Sequence, residues 1–201
     1  MMLMTPDTLL AAMTFAAVCS VTPGPNNMML LASGVNHGFR LSLPHMLGIS
    51  IGFFVLLLAA GMGLGALMLQ WPQLHLALKV LGISYMLWLA WKLLRAGAPT
   101  ASALVSAPLG FWGAAAFQWV NPKAWMMAIG VVAGFAGPES GLAAMLLLAA
   151  VCSAVNLPCI SLWAFAGDKM SRHLAVPARR RAFNSVMALL LLASIWPILK
   201  A

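Results

Sequence analysis

Long apolar stretches separated by short polar turns fill the chain from end to end, at about Asp7–Leu31, Leu43–Leu69, Leu74–Leu94, Leu109–Phe135, Gly141–Ala166 and Ala182–Leu199. A helix of about 20 apolar residues crosses a hydrocarbon core of ~30 Å. The pattern therefore predicts an all-α integral membrane protein with six transmembrane helices and no soluble domain. Two of the stretches are interrupted. Thr22-Pro23-Gly24-Pro25-Asn26-Asn27 breaks the first, and Asn121-Pro122-Lys123 breaks the fourth. Backbone polar groups freed inside a bilayer must be satisfied by protein or by a water-lined cavity, so paired breaks of this kind mark a pathway and predict a transporter.

Composition agrees with lipid as the solvent. The 201 residues are 63% hydrophobic and 7% charged, where a soluble domain carries about 25% charge. The mean hydropathy is +0.98. Ala16-Ala17-Val18-Cys19 faintly resembles a lipoprotein cleavage site, yet the first basic residue is Arg40. A signal peptide needs a basic segment ahead of its apolar run, so a retained first helix is expected. The net charge of +8 does not imply nucleic acid, because the basic residues cluster between helices. Placing Arg40, Lys92, Arg95, Lys169, Arg172, Arg179, Arg180 and Arg181 in the cytoplasm accommodates eight of the 11 Lys and Arg residues. By the positive-inside rule this predicts a multi-pass protein of a bacterial inner membrane with both termini external. Arg179-Arg180-Arg181 reads as a cytoplasmic loop resting on anionic lipid. The three acids, Asp7, Glu139 and Asp168, fall near helix ends.

One transmembrane domain covers residues 1–201. The longest loop, about Ala96–Pro108, is a linker between a first repeat of about 1–95 and a second of about 109–201. Three helices per half is an odd number, so two halves of one fold must be inserted in opposite directions, and each half starts with a broken helix.

The breaks carry the candidate chemistry. Pro23 and Pro25 cannot donate to the carbonyls of Cys19 and Val21, and Pro122 likewise frees that of Gln118, so acceptors are expected to collect there. The helix restarting at Pro25, Asn26 and Asn27 offers free N–H groups and the positive end of its dipole to an anion. Lys123, at membrane depth with no acid to pair with, costs about 2.5–3.5 kcal/mol on insertion scales and is expected to face a cavity. Carbonyls, a neighbouring Asn or a substrate carboxylate are its available partners. It is also the candidate for proton coupling, as an ionisable residue within the membrane. The bland alternatives are a proline kink closed by a neighbouring helix and a lysine snorkelling in a polar pocket. Asn156, followed by Pro158, adds a third polar spot, and Tyr85 is deep enough to lend its hydroxyl. Trp91 beside Lys92 reads as an interface anchor. Gly48 with Gly52, and Gly61 with Gly65, are small-residue pairs that let another helix approach. Packing within the chain is their expected use, a homodimer seam the alternative.

Other chemistry lacks support. His37, His45, His75 and His173 show no ligand spacing, so no metal is expected. Cys19, Cys152 and Cys159 form no C-x-x-C motif and read as small buried hydrophobes. No phosphate-binding glycine loop or Ser-His-Asp set is visible, so neither a cofactor nor an enzymatic activity is expected.

Thr22-Pro23-Gly24-Pro25-Asn26-Asn27, Gly38-Phe39-Arg40, Gly82-x-x-Tyr85 with Trp91-Lys92, and Asn121-Pro122-Lys123 together resemble the LysE/RhtB family of amino-acid exporters, over nearly the whole chain. The resemblance implies a six-helix secondary carrier that exports amino acids or close derivatives, driven by the proton motive force. It carries Pro23, Gly24, Pro25, Asn26, Asn121, Pro122 and Lys123 over as site residues. Ser33–Arg40, Tyr85–Lys92 and Phe111–Asn121 look most like the cysteine/O-acetylserine exporter branch. Homoserine, threonine or a basic amino acid are the alternative substrates, although no intramembrane acid is present to meet a cationic side chain. Lys123 and the helix start suit a carboxylate, and freed carbonyls and Asn side chains suit an ammonium group. Two readings of other classes remain in view. A passive channel also needs a polar path. A membrane thiol–disulfide carrier has similar Pro-flanked breaks, but Cys19 has no partner cysteine around Asn121.

Overall fold

Proline opens several of the helices, as expected of a residue whose missing N–H costs nothing in a first turn. The computed structural model describes residues 4–95, 109–136 and 140–200. Pro6 opens α1 (Pro6–Val21), where the Thr5 hydroxyl accepts from the Thr8 N–H, and Pro25 opens α2 (Pro25–His37). A single 3₁₀ turn, Arg40–Ser42, leads into α3 (Leu43–Ala59). A wide turn at Ala60–Leu64 and α4 (Gly65–Gln70) then precede α5 (Pro72–Arg95). The second half holds α6 (Phe111–Gln118), α7 (Pro122–Phe135), α8 (Leu142–Ser171), α9 (Pro177–Ala193) and α10 (Ile195–Lys200). No strand occurs among the described residues.

Helix covers all six apolar stretches, though not as six uniform rods. Three helices are long and apolar enough to cross a membrane, Arg40–Leu64, Leu76–Arg95 and Leu142–Ser171, and a fourth span results if α1 and α2, bent by 57°, count as one. The fourth stretch is split into helices of 8 and 14 residues. The last stops at Ala193 and restarts at Ile195. Inside the second stretch Gly63, at φ 107°, occupies a conformation that side chains resist. The linker at 96–108 and Glu139 lie outside the described residues.

One expectation about the second half needs correction. Arg179, Arg180 and Arg181 belong to the first turn of α9 instead of a loop, because Pro177 nucleates the helix ahead of them. Arg180 donates to the Val35 carbonyl at 3.1 Å, so this cluster also ties α9 to the end of α2. Pro158, for its part, leaves α8 continuous through 30 residues.

The helices α1, α2, α3, α6, α7 and α8 surround a common centre, and α5 and α9 pack mainly on each other beside it. Ala12, Phe53, Leu56, Ala128, Val131 and Cys152 belong to the largest buried cluster. Met86, Ala90, Ala188 and Leu191 hold α5 to α9. Elsewhere the helices point large apolar side chains outward, among them Leu10, Val18, Leu81, Leu162 and Leu189, as lipid-facing surfaces do. Glycines decide the closest crossings. A methyl group on Gly34 would strike the Ala164 carbonyl, and one on Gly167 the Leu31 carbonyl, so α2 and α8 meet backbone to backbone. Gly48 and Gly52 admit α6 in the same way, and Gly61 sits under Met145 of α8. These three glycines are used within the chain.

Candidate functional site

The two breaks meet. Gly24, Asn26, Asn27, Asn121, Lys123 and Asn156 line one cavity, drawn from α2, α7, α8 and the connections before α2 and α7. Measured as the space open to the centre of a water molecule, it amounts to about 30 Å³, room for about two waters. An amino acid enters only if the walls move. Apolar walls come from Ile49 and Phe53 of α3. Neither Asp7 nor Asp168 lines the cavity.

Lys123 stands at the second position of α7, where the break places it against the other half of the chain. Its Nζ donates to the Thr22 carbonyl at 2.6 Å, the Thr22 hydroxyl at 3.0 Å and the Pro23 carbonyl at 3.2 Å. An ammonium group has three donors and no acceptor. All three are therefore engaged. The Thr22 hydroxyl gives its own proton to the Cys19 carbonyl at 2.8 Å, which leaves its lone pairs facing the lysine. Gly24 makes room for this approach, since a Cβ there would lie 2.7 Å from the lysine Cδ.

Carboxamides complete the polar wall. Asn26 and Gln118 bond reciprocally, the Asn26 Nδ2 donating at 2.8 Å and the Gln118 Nε2 at 3.3 Å. Asn27 Nδ2 donates to the carbonyls of Ser20 and Thr22 at 2.8 and 2.7 Å. Asn156 donates to the Ser20 hydroxyl at 2.9 Å and accepts from the Ser50 hydroxyl at 3.2 Å. Asn27, Asn121, Gln118 and Asn156 are all buried, and buried amides without partners would cost about 1–3 kcal/mol each. This network accounts for their placement in an apolar interior.

Several sequence expectations change here. The carbonyls freed by Pro23 and Pro25 do not serve the cavity: that of Cys19 accepts from Thr22, and that of Val21 from the Trp163 indole N–H at 3.2 Å. The Gln118 carbonyl accepts from the Asn121 N–H at 3.3 Å. The acceptors that meet Lys123 are instead those of Thr22 and Pro23, exposed because the chain runs extended between α1 and α2. Pro23, Pro25 and Pro122 shape the breaks without lining the cavity. Tyr85 lies off it, its ring 4.8 Å from that of Phe117 and 5.4 Å from that of Trp88. Gln118 and Ser20 also line the cavity, beyond the residues the sequence pattern points to. Gln118 had a readable signal, being an amide one turn before Asn121 in an apolar helix. Ser20 had none, since serine is common in such helices. Of the cysteines, Cys19 alone lines the cavity. Among the described residues no three His, Cys, Asp or Glu side chains group as a metal site.

Residues 17–193 match the family described as LysE type translocator. The chain is 35% identical over 195 residues to a cysteine/O-acetylserine efflux protein of Escherichia coli O139:H28, covering 94% of this chain and 96% of that one. Proteins of the same name from Escherichia coli strain K12 and from Shigella sonnei are 35% identical over 194 residues, covering 94% of this chain and 95% of theirs. No solved structure matches significantly. With the breaks, the intervening polar cavity and a match spanning most of the chain, this protein belongs to the LysE type translocator family.

Proposed function

We propose that this chain is a secondary carrier that exports neutral amino acids of the cysteine or O-acetylserine kind from the bacterial cytoplasm, in exchange for protons. It does so as six spans in two inverted three-helix repeats, with both termini external and Arg40, Lys92, Arg95 and the Lys169–Arg181 cluster facing the cytoplasm. One observation carries the reading: Lys123 of the second break is bonded to the backbone of the first. The two breaks thus meet at a polar point beside the cavity that Lys123 lines. The names of the relatives support the substrate class. So does the lining, which offers one cation, several amides and no acid, a set suited to a zwitterion with a small uncharged side chain.

Counterflow in proteoliposomes tests this directly. Labelled O-acetylserine or cysteine should exchange saturably, faster with an imposed pH gradient, and outcompete lysine and arginine. Exchange of homoserine and threonine alone would move the substrate within the family. Flux that neither saturates nor exchanges would replace the carrier with a channel.

A further inference from the structure

The three ammonium donors of Lys123 are engaged by Thr22 and Pro23. A substrate carboxylate can bind it only after at least one of its bonds to Thr22 or Pro23 is given up. Those bonds are made to two backbone carbonyls and a hydroxyl, a set of oxygens arranged for an ammonium ion. When the lysine leaves, these oxygens, which adjoin the cavity that Lys123 lines, lose their cation, and no other Lys or Arg is among the residues lining that cavity. A zwitterion resolves both vacancies at once. Its carboxylate takes the lysine, and its ammonium takes the oxygens.

We propose that the carbonyls of Thr22 and Pro23, with the Thr22 hydroxyl, form the subsite for the substrate ammonium group, and that Lys123 occupies it as a tethered competitor until a zwitterion displaces it. This rests on the export reading above and assigns each half of the substrate to one break. The selection rule follows from charge alone. An amine without a carboxylate would expel Lys123 and leave it unpaired, and a carboxylate without an amine would strip the oxygens of their only cation. Neither should bind well. The start of α2, where Gly24 offers no side-chain cap, lies against the Lys123 side chain and presents the positive end of its dipole to a carboxylate. The neighbouring amides stay in place: Asn27 already holds the second lone pair of the Thr22 carbonyl, so the swap disturbs only the lysine.

The test is equilibrium binding of labelled ethylamine, an ammonium ion with no carboxylate, to the purified full-length protein. Wild type should bind it poorly. Lys123→Met and Lys123→Gln should each bind it about tenfold more tightly or better, since a subsite free only about a tenth of the time weakens binding by that factor. Adding Thr22→Val to Lys123→Met should reverse part of the gain. Size-exclusion elution and helical content matching wild type establish that the variants fold, and two replacements guard against one failing. If both folded variants bind ethylamine no better than wild type, the subsite is refuted, while amino-acid counterflow by wild type would leave the export reading intact. If the variants gain ethylamine binding but wild type moves no amino acid, the subsite stands and the export reading falls.

Discussion

The two breaks look alike in sequence but are satisfied in different ways. The second closes on itself: the Asn121 side chain accepts from the Lys123 N–H at 3.1 Å, and the Trp125 indole N–H reaches the Trp119 carbonyl at 2.9 Å. The first is closed in part by its own residues, the Thr22 hydroxyl on the Cys19 carbonyl and Asn27 on those of Ser20 and Thr22, and borrows the rest. Its carbonyls at Thr22 and Pro23 are met by Lys123, and that at Val21 by Trp163, residues 100 to 142 positions away. Local bonds hold a backbone shape whatever the rest of the protein does. Borrowed bonds can be exchanged for others when helices move or a ligand arrives. The first break is therefore expected to be the more adaptable of the two, because part of its closure comes from distant residues.

Lys123→Met attacks that comparison most directly. It removes the borrowed cation and should reduce amino-acid counterflow by about a hundredfold or more, equal to about 2.7 kcal/mol of lost stabilisation. Undiminished counterflow would remove Lys123 from the transport cycle. Next in size is Asn156→Ala, which strands the hydroxyls of Ser20 and Ser50 and should destabilise the protein by about 1–3 kcal/mol, visible as a lowered thermal unfolding midpoint in detergent. An unchanged midpoint would mean that water replaces the amide. Asn121→Ala removes a local cap and should cost about 0.5–2 kcal/mol, read as a lowered unfolding midpoint, with a smaller loss of counterflow than Lys123→Met. A loss as large as that of Lys123→Met would show the second break to be as adaptable as the first. Smallest of all, replacing Cys19, Cys152 and Cys159 together by Ala should leave counterflow within about twofold, since the three are free. Abolished activity would revive the thiol–disulfide reading.

Much of the architecture was legible in the chain. Pro25 and Asn121-Pro122 marked the starts of α2 and α7, because proline is favoured in the first turn of a helix. Some boundaries were not. The Arg179–Arg181 cluster reads as loop by charge, yet a proline start and the Val35 carbonyl draw it into α9. Tyr85 looked available for a site because depth can be estimated from sequence. Its rotation toward Phe117 cannot, since that depends on how α5 crosses α6.

By itself, the sequence determined the helical class, the places where helices break and the polar residues that lie at membrane depth. Lipid leaves the backbone a single economical solution, and proline interrupts it locally, so both are written residue by residue. Only the tertiary structure decided which acceptors Lys123 would find, that Asn26 pairs with Gln118, and that Cys19 and Val21 lose their freed carbonyls to Thr22 and Trp163. Except for the bond from Thr22, these pairings join residues 92 to 142 apart. They depend on helix crossings set by glycine contacts such as Gly34 on Ala164 and Gly52 on Ala115, a geometry that no local pattern encodes.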